Sequence, residues 1–370
     1  MSMSPINYEE DPLKHYVRVN AWLPLCRRRK NALTGRRLRY FTFCAVNAVD
    51  VYMLEIARVI RRSSADKFDT VFFFDKTPED VDNILDRIPG AVGFAGNFVD
   101  VVLAGDLGDE PDPLEPPADL ENTEATRQRQ RLAQTRRSFI ESFPFDVINL
   151  DLEEFIFKQR DPFPGRVINA LRNVFQWQRR ALKPGHAASR LDGFTLMFTT
   201  QAGPPVLTPE YASMLADNIT SNLQADATLT GLLQARAGTN DVTVLRNAHT
   251  LGAFFEIGVP KVLLGILHEN DWYVDPERGI RVFRFTRPSN DGPYDILHFT
   301  MDVCRQEPSI ENRAPGSAAT AVALAAYIEV ARGLVGAGPI VVTDDMAVLA
   351  ELRPTLEQIR SRQRRLVGDL

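Results

Sequence analysis

The chain has 370 residues, 44% of them hydrophobic, and a formal net charge of −5. That is enough apolar material for one large domain or two modest ones, and the excess of acids excludes a basic coat over the whole surface. Cys26, Cys44 and Cys304 lack CxxC spacing and suggest neither a disulfide framework nor a zinc site, so a reducing cytoplasm is the expected compartment. MSMSPINYEEDPLK at the start has no apolar core of signal-peptide length, and no run approaches the ~20 apolar residues that cross a bilayer; no membrane association is expected.

Residues 1–38 read as a basic N-terminal arm. Arg27, Arg28, Arg29, Lys30, Arg36, Arg37 and Arg39 cluster there, and a second basic run extends from Arg127 to Arg137. Either cluster is a solvated face, a tail for an acidic protein partner, or a phosphate contact for nucleic acid. From Arg39 to residue 306 short apolar runs alternate with amphipathic ones, the pattern of a mostly parallel sheet covered by helices. RYFTFCAV is the first strand and DVYMLEIARVIRR the first helix, with Val51, Leu54, Ile56, Val59 and Ile60 on one side. DTVFFFDK follows as a strand apolar enough to be buried on both faces. Thr77 then reads as an N-cap with Pro78 in the first helical position. Pro89 and Gly90 stop that helix, and AVGFAGNFVDVVL reads as a third strand with a bulge at Gly96.

Residues from about 105 to 122, acidic and rich in proline, read as a mobile or partner-dependent insertion. TRQRQRLAQTRRSFIESF is helical, FDVINLDLEEFIF is a fourth strand ending in carboxylates, INALRNVFQWQRRAL a helix and GFTLMFTT a fifth strand. The strand ends at Ala45, Asp75, Asn97, Asp151 and Thr199 would line the carboxyl edge of the sheet, where open α/β sheets bind ligands. After a helix containing FFEIGVPKVLLGILHEN, GIRVFRFTR and YDILHFTMDVCR are separated only by PSNDGP. That link is too short for a crossover helix and requires an antiparallel hairpin. Residues 307–370 read as a helical C-terminal extension with a short strand at GPIVVTDD and a break at Pro354. Its surface pairs with another subunit or covers only its own core.

Five βα units closed by such a hairpin resemble the class I S-adenosylmethionine-dependent methyltransferases, in topology more than in motif, over roughly Arg39 to Arg305. The fold class expected is thus α/β: a seven-stranded, doubly wound, mostly parallel sheet with an antiparallel C-terminal hairpin and a helical extension. The resemblance implies S-adenosylmethionine as cofactor, bound over the turn after the first strand. There this sequence has Ala45, Val46, Asn47, Ala48, Val49 and Asp50 in place of the family's glycines. Asn47 tolerates positive φ, while Val46 and Val49 are stiff. In that family an acid at the second strand's end holds both ribose hydroxyls, a role falling on Asp75; the alternative is that Asp75 helps Thr77 cap the following helix. Asn97 falls where the family contacts adenine, or is a turn residue. Asp151, Glu153 and Glu154, beside Asn149, stand where the family faces its methyl acceptor, and carboxylates there suit proton removal from, or holding of, a nitrogen nucleophile; the alternative is a solvated acidic loop. The Pro-Pro motif of the amino-methylating branches is missing. No phosphate loop, HExxH or GxSxG occurs, the five histidines have no ligand spacing and no metal site is expected. Two function classes result: a methyltransferase of unknown acceptor, or a catalytically inactive scaffold of that fold in a multiprotein, nucleic-acid-processing assembly.

Overall fold

A computed structural model describes residues 11–104, 124–152, 165–181, 193–203, 209–247, 251–275, 277–287, 294–305, 318–343 and 354–362. The acidic insertion, Glu153 and Glu154 lie outside them. The protein is a mixed α/β structure, and among the described residues nine strands belong to one mixed sheet. It divides into two compact units, residues 1–149, 169–190 and 344–370 in the first and 150–168 and 191–343 in the second, bounds that differ from the three segments read in the sequence.

The first unit opens with a helical stretch: α1 (Pro12–Val17), a π-helical turn at Arg18–Trp22, and α2 (Leu23–Ala32). Asp11 caps α1, its Oδ1 accepting the N–H groups of Leu13 and Lys14. The strands β1 (Tyr40–Thr42), β2 (Val71–Asp75), β3 (Val92–Ala95) and β4 (Val147–Asp151) run in the order β3-β2-β1-β4, and the three pairs are parallel. Alternation sends Phe41, Phe72 and Phe74 to one side, where they meet Phe94 and Phe145 and, from α5 (Phe98–Leu103) and α6 (Glu124–Glu141), Phe98 and Phe139. Phe139 has ring centroids about it at 4.9 to 6.3 Å, so this cluster carries much of the first unit's core. α7 (Arg166–Arg180) is tied to the entry of β4 by Gln178, whose amide both accepts from the Phe145 N–H at 2.9 Å and donates to the Phe145 carbonyl at 2.7 Å. The opposite side of the sheet carries α3 (Val49–Ile56) and α4 (Pro78–Arg87); Thr77 caps α4 through Asp80 N–H, with Pro78 at its first position, as the sequence predicts.

In the second unit β5 (Gly193–Ala202) pairs antiparallel with β8 (Tyr294–Arg305), which pairs antiparallel with β7 (Ile280–Arg287). The predicted hairpin is β7–β8. Two short strands bring the total to nine where seven were expected. β6 (Trp272–Val274) adds to the end of β8, and β9 (Ile340–Val341), foreseen in GPIVVTDD, runs parallel to β7. α8 (Pro209–Ala225), α9 (Ala227–Ala237), α10 (Val242–Leu245), α11 (Leu251–Glu269) and α12 (Ala318–Ala337) complete the unit. Contrary to the sequence reading, α11 is long and apolar enough to cross a membrane, but 72% of that stretch is buried, as in a core helix. Within it Glu256 is nearly inaccessible and is paired with Arg236 of α9 and, at 3.0 Å, with Arg284 of β7.

Three further expectations are corrected. AVGFAGNFVDVVL is not one strand: β3 ends at Ala95, Gly96 takes φ +131, and Asn97 starts α5, its Oδ1 accepting from Val99 and Asp100 N–H. The first helix stops at Ile56 rather than running on to Arg62, because Arg58 takes φ +58. The C-terminal segment does not act as one extension. α12 belongs to the second unit, whereas the helical residues 354–362 belong to the first, where Leu356 and Ile359 are buried and Arg362 pairs with Glu55 of α3 at 3.2 Å.

Candidate ligand site at the carboxyl ends of the first unit's strands

β1 leaves the sheet after Thr42. Phe43 packs its ring against Phe98 at 5.0 Å, and the chain then turns, Ala48 N–H closing on the Ala45 carbonyl at 2.8 Å. Ala45 and Val46 project into solvent, Val46 with 42% of its surface exposed; Asn47 is half-buried. The left-handed residue of this turn is Ala48 (φ 48, ψ 39) and not Asn47. Because Ala48 is also the N-cap of α3 and fully buried, an alanine here holds a conformation that costs an L-residue about 1 kcal/mol relative to glycine.

Asp50, in the first turn of α3, belongs to the interior. Its Oδ2 accepts from the Tyr40 hydroxyl at 2.9 Å and the Thr42 hydroxyl at 2.8 Å, both from the same side of β1. Asn149, at the level of Thr42 on neighbouring β4, donates its amide to Tyr40 at 3.0 Å and, more weakly, to Thr42 at 3.4 Å. All four side chains are buried, and Asn149 Oδ1 has no partner among the described residues. Burial, reinforced by the Asp50 carboxylate, pushes the Tyr40 phenol well above its ordinary pKa, so it stays a neutral donor. This network ties β1, β4 and α3 together beneath the turn.

Asp75 closes β2 level with Ala95, and its carbonyl receives Gly96 N–H at 2.9 Å, so Asp75 and Asn97 stand at neighbouring strand ends. The Asp75 carboxylate does not cap α4. Among the described residues it accepts only the N–H of Lys76; it is half-buried, and its pKa is raised, chiefly by burial. A half-buried carboxylate with so little to satisfy it suits a ligand carrying adjacent hydroxyl donors. Asn97 is exposed, its Oδ1 engaged in the cap. Asp151 ends β4 half-buried. No group of His, Cys, Asp and Glu suited to a metal ion occurs among the described residues.

Neither family models, curated proteins nor solved structures give a match to this chain. The reading of the site thus rests on its own geometry. That geometry brings Asp75, Asn97 and the Ala45–Ala48 turn to the ends of adjacent strands, and places Asp50 inside the core. The Tyr40, Thr42 and Asn149 network did not emerge from the sequence. Its signal is the polar residue at every second position of β1, with an acid just inside the next helix.

The part of the first basic cluster nearest β1, Arg36, Arg37 and Arg39, is taken up within the chain. Arg36 forms a bidentate pair with the fully buried Asp146 at 2.7 and 2.5 Å, and Arg37 one with Asp69. The Arg39 guanidinium lies 4.5 Å over Phe72 and donates to the carbonyls of Pro144 and Ser142.

Proposed function

We propose that the chain is an S-adenosylmethionine-dependent methyltransferase-like protein with a doubly wound sheet, its methyl acceptor unidentified. The observation that supports this reading is the antiparallel β7–β8 hairpin following parallel strands, since a mostly parallel sheet closed by such a hairpin is what carries the resemblance. The residues fit the cofactor best at its ribose end. Two adjacent hydroxyls would give the Asp75 carboxylate the donors it lacks and offset the burial that raises its pKa. Ala48 already holds the left-handed backbone for which glycine is usual, while the exposed Val46 narrows the approach. When bound, the cofactor supplies a methyl group on a sulfonium centre. Asp151, Glu153 and Glu154 would hold a nitrogen nucleophile or take its proton.

A second reading, a scaffold that has kept the fold without the activity, is favoured by the same turn. Its side chains include a β-branched residue and no glycine, and Asp50 is committed to Tyr40 and Thr42. Under this reading the C-terminal helices are partner surfaces for another protein or a second copy. Isothermal titration of the purified chain with S-adenosylmethionine separates the two. Saturable binding that Asp75→Ala weakens at least tenfold supports the first, and no heat with either protein leaves the scaffold.

A further inference from the structure

α11 is enclosed on all sides for most of its length. Between Phe254 and Leu267 only Lys261, which is half-buried, and Gly265, which is exposed, escape burial. At 100° per residue these two, four apart, stand about 40° from one another on one side of the helix, so a single narrow opening reaches it. One turn before Lys261 the helix is pressed against α8, where a Cβ on Gly258 would meet the Leu215 side chain at 2.9 Å. The Lys261 ammonium donates to Oδ1 of Asn222, a residue of α8 that is 3% exposed. That carboxamide is its one hydrogen-bond partner among the described residues, and no carboxylate among them pairs with it. Burial alone acts on its pKa, and lowers it.

A lysine that only covers apolar surface carries its stem along that surface and holds its charged end in water. Lys261 does the reverse, turning its charged end to a buried amide. An ammonium has three N–H donors, and one neutral acceptor without a counter-ion leaves its charge poorly satisfied, which favours loss of the proton. Gly265 keeps the amine within reach from outside. A helical side chain covers the surface about one turn N-terminal to its own Cα, so a side chain at 265 would lie over Lys261. Nothing else fills that space, since a Cβ at 265 would have no atom within 4 Å. A desolvated amine with an open approach is the nucleophile that adds to carbonyl carbon.

We propose that Lys261 is a nucleophilic amine that captures small, uncharged aldehydes as imines. Nζ forms the bond to the carbonyl carbon, the two protons of the neutral amine leave with the carbonyl oxygen as water, and a C=N bond remains. The aldehyde is small because one missing side chain makes the opening, and uncharged because no charged group among the described residues acts on Lys261. The inference is independent of any cofactor. The experiment is to incubate the full chain at pH 7 with propanal and cyanoborohydride, which reduces each imine to a stable secondary amine, and to follow each lysine by peptide mass spectrometry. Lys261 is expected to react at least about tenfold faster than the exposed Lys67 and Lys76, and to lose that lead in urea. Asn222→Asp sets a carboxylate against the amine, favours the ammonium and should slow Lys261 about tenfold. Gly265→Leu, a substitution into open space, should slow it several-fold and leave Lys67 and Lys76 unchanged. Circular dichroism checks that both variants are folded; if Asn222→Asp is not, Gly265→Leu carries the test. A Lys261 rate no greater than that of the exposed lysines, a lead that survives urea, or an unaltered rate in the folded variants would each overturn the proposal.

Discussion

His15 offers the sharpest test of how the N-terminal helix is held. The ring is 1% exposed, neither nitrogen has a hydrogen-bond partner among the described residues, and burial, helped by the nearby Arg18 cation, lowers its pKa from 6.5 to about 4. The folded value lies below the unfolded one, so between those limits the unfolded chain binds the extra proton. Stability should therefore be fully present above pH 6.5 and be lost as the pH falls through about 4. A single such histidine withdraws about 2 kcal/mol by pH 5 and about 3 kcal/mol by pH 4. The measurement is the urea midpoint, at constant m, of wild type and His15→Leu at pH 7, 5.5 and 4.5. At pH 7 the variant should match or exceed wild type, since two unsatisfied polar atoms leave the interior. On acidification the two should diverge, the variant keeping the stability that wild type loses. Parallel curves would refute the reasoning, because carboxylates titrating in the same range affect both proteins alike.

Tyr40→Phe removes the donor to Asp50 and the acceptor for Asn149, leaving Thr42 as the sole hydroxyl on that carboxylate, and should cost about 2 kcal/mol by urea denaturation. A cost below about 0.5 kcal/mol would mean that the buried network is solvated in solution. Arg36→Ala strands the inaccessible Asp146 with the Arg39 N–H at 2.9 Å, and about 3 kcal/mol is expected, the low end for a broken buried pair because Arg36 itself is 33% exposed. Adding Asp146→Asn to Arg36→Ala should restore part of that loss, and additive effects would speak against the pairing. At high pH, burial raises the Tyr52 phenol to about 12 and Tyr40 beyond its ordinary range, so the folded state keeps protons that the unfolded chain releases above pH 10. Thermal midpoints should fall as the pH rises from 10 towards 12, and less steeply in Tyr52→Phe.

Short-range chemistry made part of this fold readable in the sequence. PSNDGP is too short to hide a crossover, so the β7–β8 hairpin had no competitor, and Thr77 followed by Pro78 is a helix start whatever surrounds it. FVDVVL misled because valines favour strands, yet one Asn cap and a glycine at φ +131 bend the backbone into α5 first. β6, three residues long, is below the length at which alternation can be recognised. The site divided along similar lines. Asp75 and Asn97 were placed at strand ends by local pattern alone, whereas the burial of Asp50 and the pairing of Arg36 with Asp146 depend on partners distant in sequence.

The return of residues 354–362 to the first unit has a consequence for biogenesis. Translation delivers β1 to β4 and α3 long before the helix that carries Leu356, Ile359 and Arg362, while nearly all of the second unit is made in between. The first unit is therefore completed only after the residues of the second have been made. Until those final turns emerge from the ribosome, the surface around Glu55 awaits its cover, and a nascent chain stalled before Pro354 would hold a second unit with all its residues beside a first unit still lacking part of its own core.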